Sequence, residues 1–274
     1  MSSYSVPLRG GKAMASVNVT FRRFFSVRTL QGVLAIAAFV AAWQVVIELG
    51  VPYLSNLPYP MDVARSMTKS VASVKYWLDW KASLIRVFIG FSLAQLIGVP
   101  LGLAMGVRRS VRDLVFPVFE TVRPIPPIAW IPLAILFWPT EELSIYFLCF
   151  IGPFFVIVLN VMQGVSNIDA ELKRAALSLG AGQQDIFWKI MVPGSLPSIV
   201  TGMTVGIGVT WNILIAAEMI AGHGGLGRMT WEAYTNGNIP LIIVGMISIG
   251  VAGYVSSGLV RALGDRAMPW KRRF

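Results

Sequence analysis

Long stretches without a charged residue recur along the chain. Five of them contain 19 residues or more and a sixth is shorter: 29–47, 87–107, 143–168, 190–217, 233–260 and 124–140. A helix of about 20 apolar residues crosses the hydrocarbon core of a bilayer, so each of the five long stretches is long enough to span it. The pattern predicts an all-α integral membrane protein with six transmembrane helices.

The composition supports this prediction. Of 274 residues, 55% are hydrophobic and 13% are charged, whereas charged residues make up about a quarter of an average soluble domain. So few charges cannot cover a water-facing surface, which argues against a soluble enzyme, a disordered chain or a coiled coil. The single cysteine, Cys149, excludes an intrachain disulfide.

The 23 basic residues are divided unevenly between the connecting segments. With six alternating helices and a cytoplasmic N-terminus, 16 of them lie in cytoplasmic segments, six in outer segments and one, Arg123, within a span. Cytoplasmic loops are enriched in Lys and Arg, so this division predicts that both termini are cytoplasmic. It also explains the net charge of +10 without a nucleic acid, because no basic stretch is interleaved with base-stacking aromatics.

The predicted organisation is a basic cytoplasmic segment 1–28, a single transmembrane domain 29–270 and a cytoplasmic tail 271–274. The first apolar stretch follows basic residues, as in a signal peptide, but its length and the lack of a clear cleavage site favour a retained helix. After a stiff proline-containing piece at 57–60, residues 61–80 are predicted to form an interfacial helix.

Glycines and prolines predict two further features of the spans. Small residues at four-residue spacing let helix backbones approach closely in lipid. Glycines with this spacing occur in stretches 87–107 and 190–217: Gly98, Gly102, Gly106, Gly202 and Gly206. Prolines in and beside stretch 124–140 predict an interrupted third helix, which a membrane tolerates only inside protein or beside a watery cavity. The third helix is therefore the first candidate for a translocation pathway.

Segment 167–193 is predicted to form a helical hairpin. Asn167 is expected to cap a first helix, which Gly180 and Gly182 end, and a second short helix is expected from Gln183 to Pro193. One face of the first helix carries small apolar residues at helical spacing: Leu172, Ala175, Ala176 and Leu179. Such a face suits the lipid surface or a groove in a cytoplasmic partner, and the pattern leaves both possibilities open.

The hairpin contains a characteristic spacing of residues. Arg174-Ala175-Ala176-x3-Gly180, then nine residues, then Ile190-Met191-Val192-Pro193 resembles the E-A-A-x3-G-x9-I-x-L-P loop of ABC importer permeases. Arg174 replaces the Glu of that pattern and Val192 its Leu, while the spacing is intact. Stretches 123–132 and 211–218 resemble the nitrate/sulfonate/taurine/bicarbonate branch of these permeases, and the likeness extends from about residue 57 to 268.

The resemblance implies a type I (MetI-like) importer permease fold in the bacterial cytoplasmic membrane. Such a subunit pairs with a second copy, rests on two ATP-binding cassette ATPase subunits through the hairpin, and receives substrate from an extracytoplasmic binding protein. ATP and Mg would be bound by the partner ATPase, and this chain would bind no cofactor and catalyse no reaction. The transported substrate would be a small anion: nitrate, bicarbonate or a sulfonate such as taurine. The ATPase-coupling residues would be Glu171, Arg174, Ala175, Ala176, Gly180, Ile190 and Pro193.

Five residues are candidates for the translocation pathway: Glu120, Arg123, Trp130, Trp211 and Glu218. Charges at membrane depth are costly, and Arg123 is the only cation within a predicted span. Glu120, three residues earlier, either balances Arg123 or shares it with a passing anion. Trp130 and Trp211 could supply aromatic walls, and Glu218 ends the uncharged stretch of the fifth helix.

Two other classes of membrane protein are possible. A stand-alone secondary carrier also uses broken helices. A membrane-embedded enzyme needs convergent nucleophiles, acids or metal ligands, and no such motif is present. The stretch Gly222–Gly227 matches G-x-G-x-x-G, but it follows a membrane helix rather than a strand, so a flexible outer turn with a solvated His223 is expected.

The predicted orientation can be tested by labelling. Single cysteines are introduced at Ser178 and Thr235 in a Cys149→Ser background. A membrane-impermeant thiol reagent applied from outside should label position 235 and spare position 178, because the hairpin is expected to face the cytoplasm. Labelling of position 178 without position 235 would show that the orientation is reversed.

Overall fold

The computed structural model describes residues 27–51 and 56–270, which contain helices and no strand. The α-helices are α1 (Val27–Glu48), α2 (Pro60–Val71), α3 (Val74–Val107), α4 (Arg109–Val122), α5 (Ile131–Phe137), α6 (Glu141–Ser166), α7 (Ala170–Ser178), α8 (Gln183–Ile186), α9 (Val192–Ala221), α10 (Leu226–Thr235) and α11 (Ile239–Ala267). The chain divides into two compact units, Met1–Ala64 and Arg65–Phe274. Most of the predicted segment 1–28 and the predicted tail 271–274 lie outside the described residues.

Five helical segments of the described chain are long and apolar enough to cross a membrane: Leu30–Glu48, Val74–Val107, Glu141–Ser166, Gln183–Ala221 and Ile239–Ala267. Each covers most or all of one of the long uncharged stretches, which confirms that these stretches form helices of spanning length. Stretch 124–140, the third in chain order, forms a shorter apolar segment, Pro127–Phe137.

The third apolar stretch is interrupted, as its prolines predict. Helix α4 ends at Val122, a 3-10 helix follows at Pro127–Trp130, and α5 adds seven residues. Pro126 has an extended backbone with ψ of 134°, the conformation favoured in a residue that precedes another proline. The chain therefore crosses this region as two short helical pieces rather than one regular helix.

Helix α6 packs between α3 and α9, and glycines make both contacts close. A Cβ atom on Gly102 of α3 would lie 2.7 Å from the Cβ of Val161, and one on Gly202 of α9 would lie 2.8 Å from the Cβ of Asn160. Both distances are below normal van der Waals contact, so these positions admit glycine alone without a shift of the neighbouring backbone. The spacing-based prediction of close helix packing is confirmed, and α6 is the shared partner.

The start of α3 differs from the expectation for 61–80. Two helices replace the single interfacial helix, because Ser73 adopts an extended conformation (φ −89°, ψ 132°) between α2 and α3. Helix α3 contains 34 residues and includes Lys75, Lys81 and Arg86. A helix of this length exceeds the roughly 20 residues that cross a bilayer, so these cations in its first turns leave the expectation that Arg123 is the only cation within a span as a prediction.

The hairpin differs from the prediction at two points. Asp169 caps α7 by accepting a hydrogen bond from the Glu171 amide at 2.8 Å, whereas Asn167 ends α6. The second helix does not stop at Pro193. Helix α8 runs through a π-helix at Phe187–Met191 directly into α9, and Pro193 lies in the first turn of α9, where proline's missing amide is tolerated.

Candidate functional site

A charged cluster joins α3, α6 and α9 at the end of these helices opposite the hairpin. The Arg86 guanidinium is at its centre, with 5% of its side chain exposed. Its Nη1 donates to Oε1 of Glu218 at 2.9 Å, its Nε donates to Oε2 of Glu142 at 3.0 Å, and its Nη2 donates to the other oxygen of Glu142. One side chain of α3 thus binds a carboxylate from each of two neighbouring helices.

Glu218 is completely buried within the chain. Besides Arg86, the Ser83 hydroxyl donates to its carboxylate at 2.8 Å and the Gly227 amide donates at 2.8 Å. A buried carboxylate is stable only when it is paired and its remaining lone pairs are hydrogen-bonded. Arg86, Ser83 and the Gly227 amide together meet this requirement.

The glycine-rich segment 222–227 is held by the same cluster. The Gly224 carbonyl accepts from Arg86 at 2.6 Å, the Gly225 amide donates to Asp79 at 2.8 Å, and the Leu226 amide donates to Ser83 at 2.9 Å. The expectation of a flexible outer turn is therefore wrong, because backbone hydrogen bonds tie this segment to α3. Gly225 has φ of +112°, and a side chain there would also collide with the Glu218 carboxylate.

His223 is the exposed member of this segment. Its side chain is 89% exposed, and its Nε2 lies 2.9 Å from Oε2 of Glu141 at the start of α6. It is thus a solvated histidine, as expected, but it also contacts the outer edge of the charged cluster.

The predicted pathway residues do not form one surface in this chain. Glu120 and Arg123 form an ion pair of 2.7 Å with about two-fifths of each side chain exposed, which confirms the contact between them. Trp211 is 4% exposed and donates to Ser256 at 2.9 Å, so it offers no open aromatic wall here. Trp130 is half-buried, with its ring centroid 6.4 Å from that of Phe147.

Glu218 likewise lies away from any surface that a solute could reach in this conformation. Its carboxylate is enclosed by Arg86, Ser83 and the Gly227 amide. A role in the pathway would require this arrangement to open. The structure therefore places Glu218 in a buried ion pair that fastens three helices and a loop, a position that the sequence did not predict.

The hairpin presents an apolar surface to its surroundings. Leu172, Leu179 and Trp188 are 53%, 88% and 66% exposed. Four of the predicted coupling residues are exposed: Glu171, Arg174, Ala175 and Gly180. The other three are half-buried: Ala176, Ile190 and Pro193. Gly180 has φ of +84°, so the turn between the two helices uses the left-handed region favoured by glycine.

Comparison with known protein families identifies the chain. Residues 98–271 match the model of the family described as binding-protein-dependent transport system inner membrane component. The chain belongs to this family. It is a permease subunit of an ABC importer located in the inner membrane, and the family is one of transporter permeases, in agreement with a subunit that is not itself an enzyme.

Three relatives show the branch of the family. The chain is 32% identical to the taurine transport system permease protein TauC of Escherichia coli, covering 86% of this chain and 87% of TauC. It is 29% identical to the nitrate import permease protein NrtB of Synechocystis, covering 91% and 93% of the two chains. It is 30% identical to the bicarbonate transport system permease protein CmpB of Synechococcus elongatus, covering 87% and 86%.

A solved structure supports the fold. An inward-facing structure of the MetNI methionine ABC transporter matches with a TM-score of 0.57 at 23% identity, covering 70% of this chain and 95% of the matched chain. At this identity the match concerns the fold, and it confirms the expected MetI-like permease architecture.

The buried and exposed arginines of this permease should respond differently to the same substitution. Arg86→Gln leaves Glu218 buried without its cation and should lower the free energy of unfolding by about 3–5 kcal/mol. Arg123→Gln removes an exposed pair and should cost about 0–1 kcal/mol. The measurement is unfolding of the purified permease in mixed micelles.

A second substitution separates the charge from general disruption. Adding Glu218→Gln to Arg86→Gln removes the uncompensated buried charge and should recover part of the lost stability. Equal losses for Arg86→Gln and Arg123→Gln would contradict the buried pairing.

Proposed function

We propose that this permease forms the translocation pathway for a small anion, either nitrate, bicarbonate or a sulfonate such as taurine. A second copy of the chain completes the pathway, and an extracytoplasmic binding protein delivers the substrate. ATP and Mg are bound by two partner ATPase subunits, whose closure drives alternating access. The family membership and three relatives with these named substrates support the proposal.

The proposal that a partner subunit drives this chain rests on the exposed apolar surface of the hairpin. Leu172 and Leu179 are large apolar side chains left in contact with solvent, and contiguous surfaces of this kind mark interaction sites. Ala175 and Ala176 lie beside them and leave room for close approach of another backbone. A cytoplasmic ATPase subunit is the occupant that accounts for both features.

The helix that leaves the hairpin provides a path for movement. Segment Gln183–Ala221 is helical throughout, including the π-helix, so its first residues lie in the hairpin and its last residues beside the charged cluster. Glycine contacts bind α9 to α6 and α6 to α3. Closely packed helices resist gradual deformation, so a push on the hairpin moves this group as a rigid body.

The half-exposed Glu120–Arg123 pair supports an anionic substrate. Arg123 directly precedes the interruption of the third apolar stretch and keeps 42% of its side chain exposed, so its guanidinium can meet an anion without first leaving Glu120. The specificity among the three anions would be set largely by the binding protein.

The proposal is tested by ATP-driven uptake in liposomes that contain the permease, its ATPase partner and its binding protein. Uptake of one of the three anions should require all three components. Ala176→Trp should reduce uptake to background, because the larger side chain overfills the docking groove. Ala262→Trp, the same substitution at another exposed alanine, serves as the matched control and should retain uptake.

Two results would contradict the proposal. Transport by the purified permease without the ATPase would identify a secondary carrier. Normal uptake and normal ATPase association in the Ala176→Trp variant would exclude docking through the hairpin.

A further inference from the structure

A polar pocket lies between the first turns of α3, helix α10 and the start of α11, at the same end of the protein as the charged cluster. Its volume is about 260 Å³. One cation, Lys75, lines it together with hydroxyl, amide and carboxylate side chains: Ser70, Ser73, Asp79, Glu232, Asn236 and Asn238. Such a lining offers many hydrogen-bond acceptors in a small space.

Asp79 is the unusual member of this wall, because it is 6% exposed and only half satisfied. Its Oδ1 accepts a hydrogen bond from the Gly225 amide at 2.8 Å. Its Oδ2 is buried and has no hydrogen-bond partner among the described residues. Leaving a buried carboxylate oxygen without a partner is costly, so a hydrogen-bond donor supplied from outside the chain would stabilise Asp79.

The neighbouring cations of the chain are committed to other carboxylates. Lys75 lies 3.0 Å from Glu232, Arg228 lies 3.1 Å from Glu232, and Arg86 binds Glu142 and Glu218. The pKa of the Glu232 carboxyl lies below its ordinary value because the Lys75 ammonium donates a hydrogen bond to it, so Glu232 stays ionised and retains Lys75. No described cation donates a hydrogen bond to Asp79, although the Lys75 ammonium, which also lines the pocket, and the Arg86 guanidinium attract its negative charge from nearby.

We propose that this pocket binds a primary ammonium group, with Oδ2 of Asp79 as the anionic acceptor. An ammonium group donates up to three hydrogen bonds and accepts none, which suits a pocket whose wall combines a half-satisfied carboxylate with hydroxyl and amide oxygens. The pocket is larger than a single small ion needs, so it also admits a short organic chain attached to the ammonium.

Two sources supply this chemistry. One is the free ammonium ion. The other is the ammonium end of an aminosulfonate substrate, and this source rests on the proposed function. Of the three anions proposed there, taurine carries an ammonium group, whereas nitrate and bicarbonate do not.

The test is equilibrium binding by calorimetry to the full-length permease in lipid nanodiscs, at constant ionic strength. Ammonium chloride is compared with sodium chloride, and taurine with ethanesulfonate, which has no amino group. Because binding is measured without transport, failure of this proposal is distinct from failure of the proposed function. We expect saturable binding of at least one of the two ammonium compounds and none of their matched controls.

Substitution of the acceptor locates the site. Asp79→Asn keeps an oxygen for the Gly225 amide but can replace Oδ2 with a donor, so ammonium binding should weaken about tenfold or more. Asp185→Asn, the same change in the hairpin, should leave the affinity unchanged. If the Asp79 variant does not fold, the comparison of compounds on the unaltered permease still shows whether the ammonium group is recognised.

Three outcomes overturn the proposal. The first is no saturable binding of either ammonium compound. The second is equal binding of sodium or ethanesulfonate, which would show that the ammonium group is not recognised. The third is unchanged affinity in Asp79→Asn. Binding of ammonium without taurine supports the free ion as the ligand, and binding of taurine without ethanesulfonate supports the substrate.

Discussion

The burial of Glu218 is the constraint on which one end of this permease depends. A carboxylate without solvent contact at the end of a spanning helix must be neutralised by the chain itself, and Arg86 supplies the opposite charge. Because Arg86 also binds Glu142 and the Gly224 carbonyl, the same guanidinium fixes the relative positions of α3, α6, α9 and the glycine-rich segment. Loss of Arg86 would leave the three helices and the glycine-rich segment without their common partner.

The charged cluster and the glycine contacts act on the same three helices. Along the membrane, close approach at Gly102 and Gly202 holds α3 and α9 against α6. At one end, Arg86 adds a charged contact between them. At the other end, α9 is continuous with the second half of the hairpin through the π-helix at Phe187–Met191. We therefore expect a force applied to the hairpin to reach the charged cluster through these packed helices rather than through flexible loops.

Much of the fold was predictable because it depends on local patterns. Uncharged length predicted the long helices, glycine spacing predicted their close packing, and clustered prolines predicted the interruption of the third stretch. Gly180 and Gly182 predicted the end of the hairpin's first helix. By contrast, the hairpin's second helix was predicted to stop at Pro193, because proline was interpreted as a terminator although it is also favoured in a helix's first turn.

The charged cluster was missed because charges were used as boundaries of the spans. Arg86, Glu142 and Glu218 each adjoin an uncharged stretch, and alternation of the spans places all three on the same side of the membrane. One arginine with two carboxylates at a common depth is a signal for a shared ion pair, and it was available from the sequence. The half-satisfied Asp79 had no such signal, because it depends on how α10 and α11 fold back against α3.

The central claim is that a partner ATPase drives this permease through its hairpin. The most direct measurement places a photoreactive phenylalanine analogue at Leu179, which is 88% exposed in the hairpin, and at Leu136, which is 80% exposed in α5 at the predicted outer side. In the assembled complex, irradiation should link position 179 to the ATPase subunit and leave position 136 unlinked. A complex that hydrolyses ATP but yields no adduct from position 179 would contradict the account.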